Sequence, residues 1–196
     1  MILQEYIRCN KGENKVAFVD KVKLICQKLQ INPNWLMVVM FHESGLNAQA
    51  VNKQKGDSAD PYTRAASRAT GLIQFMPSTA RGMGTTTQAL YKMTSLQQLD
   101  YVYAYFRPFS GKLKSYYDLY MVAFAPIAIG RPDDFVIQTK RLSASAIARS
   151  NPALDLNKDF KITVGEAKKV MYNIIPKQYL NDVLSDSEKK SPSSDC

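Results

Sequence analysis

Glu43 is the residue whose setting best suits it to chemistry. It follows the run Trp35-Leu-Met-Val-Val-Met-Phe-His, apolar almost all round, which predicts a central buried helix over 35–43. A carboxyl at the C-terminal end of such a helix loses hydration and meets the negative end of the helix dipole. Both effects disfavour the anion and predict a raised pKa. A carboxylic acid still protonated near neutral pH is what a general acid for glycosidic cleavage requires. By position alone, a glutamate satisfied by backbone donors, or one that turns outward as the helix ends, is the simpler reading. A second carboxylate would decide the reaction. An inverting hydrolase needs a base ~6.5–9.5 Å from the acid to activate water. Asp57 and Asp60, in a polar stretch, are the candidates, with Asp118 a poorer one.

A second constellation lies at Asp155-Leu-Asn157-Lys-Asp159-Phe-Lys161-Ile-Thr163-Val-Gly-Glu166. It fits the calcium-loop pattern of an EF-hand. Side-chain oxygens stand at positions 1, 3 and 5, the Lys161 carbonyl at 7, Thr163 at 9 and Glu166 at 12. The departure is Phe160, where glycine normally makes the sharp turn. A left-handed non-glycine residue costs ~1–2 kcal/mol. The reading is a structural Ca2+, with a capped polar turn as the alternative, since Thr163 and Glu166 also form a capping box.

The elements that must position these groups read as helices. Residues 15–30 carry Val19, Val22, Ile25, Cys26 and Leu29 at helical spacing. Asn32 then Pro33 predicts an N-cap and first helical position, and Gly45 a stop. Residues 47–70 predict a long polar loop. Pro77 opens another helix, Thr94 with Gln97 a helix through Tyr105, and Ser115 one that Pro126 ends. A short helix is expected at 143–149 and another from Thr163 to about Ile174. Strand signals are weak.

His42-Glu43-Ser44-Gly45-Leu46-Asn47 resembles the glutamate motif of the lysozyme-like lytic transglycosylases, the soluble-lytic-transglycosylase catalytic domain related to goose-type lysozyme. Gly71-Leu72-Ile73-Gln74-Phe75-Met76-Pro77-Ser78-Thr79-Ala80 resembles the second motif of that family, and the resemblance spans 31–134. It implies a mostly α lysozyme-like domain over 1–150; the EF-hand-like spacing adds a calcium loop and helix over 151–180, and the Ser/Asp/Lys-rich end predicts a disordered tail over 181–196. It implies that Glu43 is catalytic. Ser44, Gly71, Gln74, Phe75, Met76, Tyr120 and Phe124 would then bind substrate, with backbone at Gly71 approaching the sugar. The family's Tyr-Asn pair is absent, because Ala123-Phe124-Ala125-Pro126 stands in its place, as in a phage and prophage subgroup. Tyr103, Tyr117 and Tyr120 are the alternatives for the lost hydroxyl. The resemblance implies cleavage of peptidoglycan with 1,6-anhydroMurNAc as product and no catalytic cofactor. A hydrolytic muramidase or chitinase-like enzyme using Asp57 or Asp60, and a silent glycan-binding protein, remain alternatives.

Composition fits this setting. Of 196 residues, 26 are Lys or Arg and 17 Asp or Glu, a net charge of +9, and the acidic end of the chain leaves about +11 on the rest. By charge alone the partner is an anionic polymer, nucleic acid or cell wall, with a merely soluble basic surface as the equal alternative. The expected partner is the peptidoglycan glycan strand, not nucleic acid, acted on by a monomer. No apolar run approaches the ~18 residues of a membrane span. No secretory signal is seen, so action in the periplasm or wall is expected through a phage virion, holin release or specialised secretion. Cys9, Cys26 and Cys196 are expected as free thiols.

Overall fold

The computed structural model describes residues 1–8, 14–185 and 188. Cys9, Cys196 and most of the expected tail lie outside them. Helix α1 (Lys15–Leu29) begins where the Asn14 side chain accepts the Val16 N–H, and it buries Phe18, Val19, Val22, Ile25, Cys26 and Leu29 on one stripe. Helix α2 (Pro33–Ser44) begins at Asn32, whose side chain accepts the Asn34 N–H, with Pro33 pre-set at the first position. The five consecutive residues from Leu36 to Met40 are each fully buried. A helix buried on every side needs partners on every side, and α1 packs against it. Gly45, at φ 62°, ends it.

Between α2 and the second motif the expected loop is interrupted. Asp60 accepts the Thr63 N–H at 2.8 Å and caps α3 (Pro61–Ala65). Helix α4 (Pro77–Gly82) starts at the anticipated proline. Helix α5 (Thr87–Lys92), capped by Thr86, was not anticipated from sequence. Each of these is one or two turns long, too short to show an apolar period. Helix α3 packs on α5, with Tyr62 and Tyr91 rings 6.2 Å apart. Helix α6 (Ser95–Phe106) carries the reciprocal Thr94–Gln97 capping box and packs along α1.

The chain divides into two compact units, Met1–Ser110 and Gly111–Cys196. The expected boundary was at 150. The segment bearing the substituted third motif therefore shares a unit with the 155–166 loop. That unit holds α7 (Tyr116–Phe124), α8 (Ala144–Ser150), α9 (Val164–Ile174) and α10 (Leu180–Val183). Helices α7 and α9 pack together, and the Tyr116 hydroxyl donates to the Met171 carbonyl at 3.3 Å. The start of the expected tail is ordered. Residues 181–183 complete α10, and Val183 and Leu184 are buried because they are the apolar residues there. Among the described residues backbone pairing outside helices is limited to isolated bridges, so the fold is mostly α.

Candidate active site

The site is built where α2 ends. Gly45 and Leu46 both take left-handed backbone, and the Gly45 N–H donates to the Phe41 carbonyl at 2.8 Å. Glu43 is left in the last turn, half-buried. Ser44 Oγ lies 2.9 Å from the Met40 carbonyl and 3.0 Å from that of Leu72, so its single proton is shared between them. The Asn47 N–H donates back to that oxygen at 3.3 Å.

Leu72 belongs to a tight turn. Thr70 and Phe75 exchange backbone hydrogen bonds at 3.1 and 2.9 Å, closing a four-residue loop with Gly71 at φ 86° and Gln74 at φ 50°. The turn is tied to the chain after α2 by Gly71 N–H to the Ala50 carbonyl at 2.8 Å and Asn52 N–H to the Ala69 carbonyl at 2.9 Å. Gln74 Nε2 donates to the carbonyls of Gly71 at 3.1 Å and Ala50 at 3.3 Å.

These pieces frame an open cleft of about 660 Å³ within the first unit, lined by His42, Glu43, Ser44, Ala50, Val51, Asn52, Lys53, Ala69, Gln74 and Met76. Glu43 is the one carboxylate among these lining residues. Lys53 adds a cation, and burial lowers the His42 imidazole below its ordinary pKa. Met76 is 54% exposed at the rim, an apolar surface suited to a sugar face. The Tyr105 phenol, on α6, is raised above its ordinary pKa first by burial and then by the negative charge of Glu43. Sequence offered Tyr103, Tyr117 and Tyr120 as hydroxyl sources. The charge of Glu43 reaches the Tyr105 phenol, while the Tyr103 ring faces Lys28 of α1.

Several expected site residues stand elsewhere. Phe75 is 2% exposed and meets Tyr105 edge-on at 6.2 Å, so it supports the cleft from beneath. Gly71 is also buried. The close approach its missing side chain allows is that of Gln98, whose Oε1 would lie 2.3 Å from a Cβ there. Asp57 is held by Arg68 in a two-point pair, Nε to Oδ2 at 2.9 Å and Nη2 to Oδ1 at 2.7 Å, and also accepts the Gln54 N–H. Asp60 caps α3. Neither lines the Glu43 cleft. Arg68, and then the Gln54 N–H, hold the Asp57 carboxyl below the usual range; the Thr63 hydroxyl and N–H do the same for Asp60.

In the second unit Tyr120 is buried on α7, and Phe124 lines a separate cavity of about 420 Å³ with Ala123, Pro126, Leu142 and Ile147. In the 155–166 loop Asp155 accepts the N–H groups of Asp159 and Phe160, Asn157 that of Asp159, and Asp159 that of Lys161. Phe160 does adopt the left-handed turn, at φ 63°. Glu166 caps α9 and also accepts the Leu156 and Asn157 N–H groups at 3.1 and 3.3 Å. Among the described residues no three His, Cys, Asp or Glu side chains are gathered closely enough to hold a metal.

Residues 22–104 match the model of the family described as the transglycosylase SLT domain. The match contains Glu43 and every residue lining its cleft, and leaves out the second unit. It supports glycan cleavage of the lytic-transglycosylase type, with peptidoglycan as the substrate class and the cell wall as the place of action. No curated protein and no solved structure matches the chain. Among the described residues no helix is long and apolar enough to cross a membrane.

Proposed function

We propose that the protein is a lytic transglycosylase that cuts the MurNAc-β-1,4-GlcNAc bond of peptidoglycan without adding water. The observation that carries this reading is that Glu43 is the sole carboxylate among the described residues lining its cleft. Glu43 donates its proton to the bridging oxygen as the bond from MurNAc C1 breaks. The substrate's own N-acetyl group supports the positive charge at C1. The carboxylate then takes the proton of the C6 hydroxyl, and O6 bonds to C1 to close the 1,6-anhydro ring. One group thus serves as acid and then base. Gln74, Ser44 and Met76 border the sugar.

A hydrolase would instead need a base able to hold water beside the sugar. Asp57 and Asp60 are each committed to local partners. Product analysis by mass spectrometry, with Glu43→Gln alongside, separates the two reactions. Binding without cleavage by the wild type would support a silent glycan-binding role. The enzyme is read as a monomer that acts at the cell wall.

The 155–166 loop is proposed to hold a structural Ca2+ through Asp155, Asn157, Asp159, the Lys161 carbonyl, Thr163 and Glu166. The donor set is the hard-oxygen kind calcium takes. The left-handed Phe160 supports the reading, while Glu166, engaged by backbone N–H groups, must swing to the ion. Affinity is therefore weak. Titration calorimetry should give millimolar-range binding that Glu166→Gln abolishes; equal heats from the two proteins would contradict it.

A further inference from the structure

We infer that Gln98 is a positioning residue for the Glu43 cleft, holding the turn of residues 70–75 from beneath through its buried side-chain amide. The inference rests on the reading that Glu43 is the reacting acid. Gln98 lies on α6 and is fully buried. Its Oε1 accepts the Leu72 N–H at 3.0 Å. Its Nε2 donates to the Ala48 carbonyl at 2.6 Å and the Leu90 carbonyl at 2.7 Å. Both amide hydrogens and one oxygen lone pair are used, so the group has one orientation and no solvent to exchange with.

The Leu72 peptide is consequently gripped from two sides. Its N–H goes to Gln98 and its carbonyl to the Ser44 hydroxyl, next to Glu43 in the chain. Gly71, at φ 86°, gives Oε1 the room to reach Leu72, because a Cβ would stand 2.3 Å from that oxygen. Ala48, the other end of the clamp, is two residues before Ala50, whose carbonyl takes the Gly71 N–H and the Gln74 amide. Gln98 is absent from the cleft lining, so it touches no substrate there. It acts by fixing the spacing between the α2 end and the Gln74 wall. A misplacement of about 1 Å in such a site costs on the order of 100-fold in rate.

A side chain that only fills the core would be replaced by one of the same shape. The test compares Gln98→Met, which keeps volume and loses all three bonds, with Leu99→Ala on the same helix, which opens a core cavity and breaks no hydrogen bond to the turn. Both are measured for kcat and KM on purified glycan strands, for Tm, and for deuterium uptake by peptides spanning 70–76. The expected result is a kcat at least tenfold lower in Gln98→Met with KM within threefold, and faster exchange in the turn. Leu99→Ala should lose comparable Tm yet keep kcat within twofold and leave the turn's exchange unchanged. Gly71→Ala presses on the same amide and carries the same readouts if Gln98→Met does not fold. In addition, Gly71→Ala should cost at least tenfold in the wild type and clearly less in a Gln98→Ala background, the remainder being the strain of a side chain at φ 86°. Losses that simply track Tm in both variants, or costs that multiply independently, would overturn the assignment. Exchange needs no turnover, so it decides this inference even where the wild type fails to yield 1,6-anhydroMurNAc and the transglycosylase reading falls.

Discussion

The Ser44 hydroxyl stands 3.0 Å from the Leu72 carbonyl and joins the end of the Glu43 helix to the turn that carries Gln74. One proton thereby couples two motifs separated by 28 residues. Ser44→Ala removes that coupling and leaves a carbonyl without its donor. The expected loss is about 1 kcal/mol of stability, read by urea denaturation, with kcat down severalfold because Glu43 is the next residue. An unchanged kcat would place the hydroxyl outside the catalytic geometry.

Asp57 and Arg68 give the loop between α2 and the turn an acid sensitivity. The folded carboxyls of Asp57 and Asp60 lie below their unfolded value of 3.8. The unfolded chain then binds more protons between the two values, so stability rises with pH there. The contribution is present above pH 3.8 and is lost as pH falls through the folded pKa. Tm measured from pH 5 downward should therefore drop below about pH 4, and less steeply in Asp57→Asn.

Asp57→Asn also separates the two chemistries. Because Asp57 is tied to Arg68 and does not line the cleft, cleavage by this variant should stay within threefold of wild type at neutral pH. A loss of several hundredfold would assign it as the base of a hydrolase.

The Tyr105 phenol feels the charge of Glu43. We predict a hydrogen bond from this phenol to the carboxylate, which would favour the anion. In Tyr105→Phe the acid form of Glu43 should persist to higher pH, moving the pH–rate profile of kcat/KM in the alkaline direction with Tm little changed. A profile superimposable on the wild type would remove Tyr105 from the site.

Cys26 is fully buried on α1, and burial pushes its thiol up to about 12. Only the thiolate reacts readily. Cys26 should resist alkylation in the folded protein at pH 8 and react at once in urea, as followed by intact mass.

Much of this was legible in the sequence where a residue type reports a local interaction. Asn32-Pro33, Gly45, Thr94 with Gln97 and Thr163 with Glu166 marked helix ends because each satisfies or redirects backbone groups at once. Helices α3 and α5 were not, since their caps, Asp60 and Thr86, precede segments too short for periodicity. The acid and the turn were legible as two motifs; what joins them was not. Gly71 marked a close approach, but what approaches is Gln98, 27 positions on. The signal for Gln98 was present as a polar side chain on the stripe of Ser95, Leu99, Val102 and Phe106 that α6 buries. Its partners, the backbone of Ala48, Leu72 and Leu90, carry no residue-type signature. Phe160 likewise gave away the turn's cost but not that the chain would make it.

The central claim is that Glu43 cleaves glycan by itself, without a base for water. Its most direct test is mass spectrometry of the soluble products from purified peptidoglycan digested by the wild type and by Glu43→Gln. The account predicts muropeptides ending in 1,6-anhydroMurNAc from the wild type and none from Glu43→Gln. Reducing MurNAc ends, heavier by one water, would contradict it.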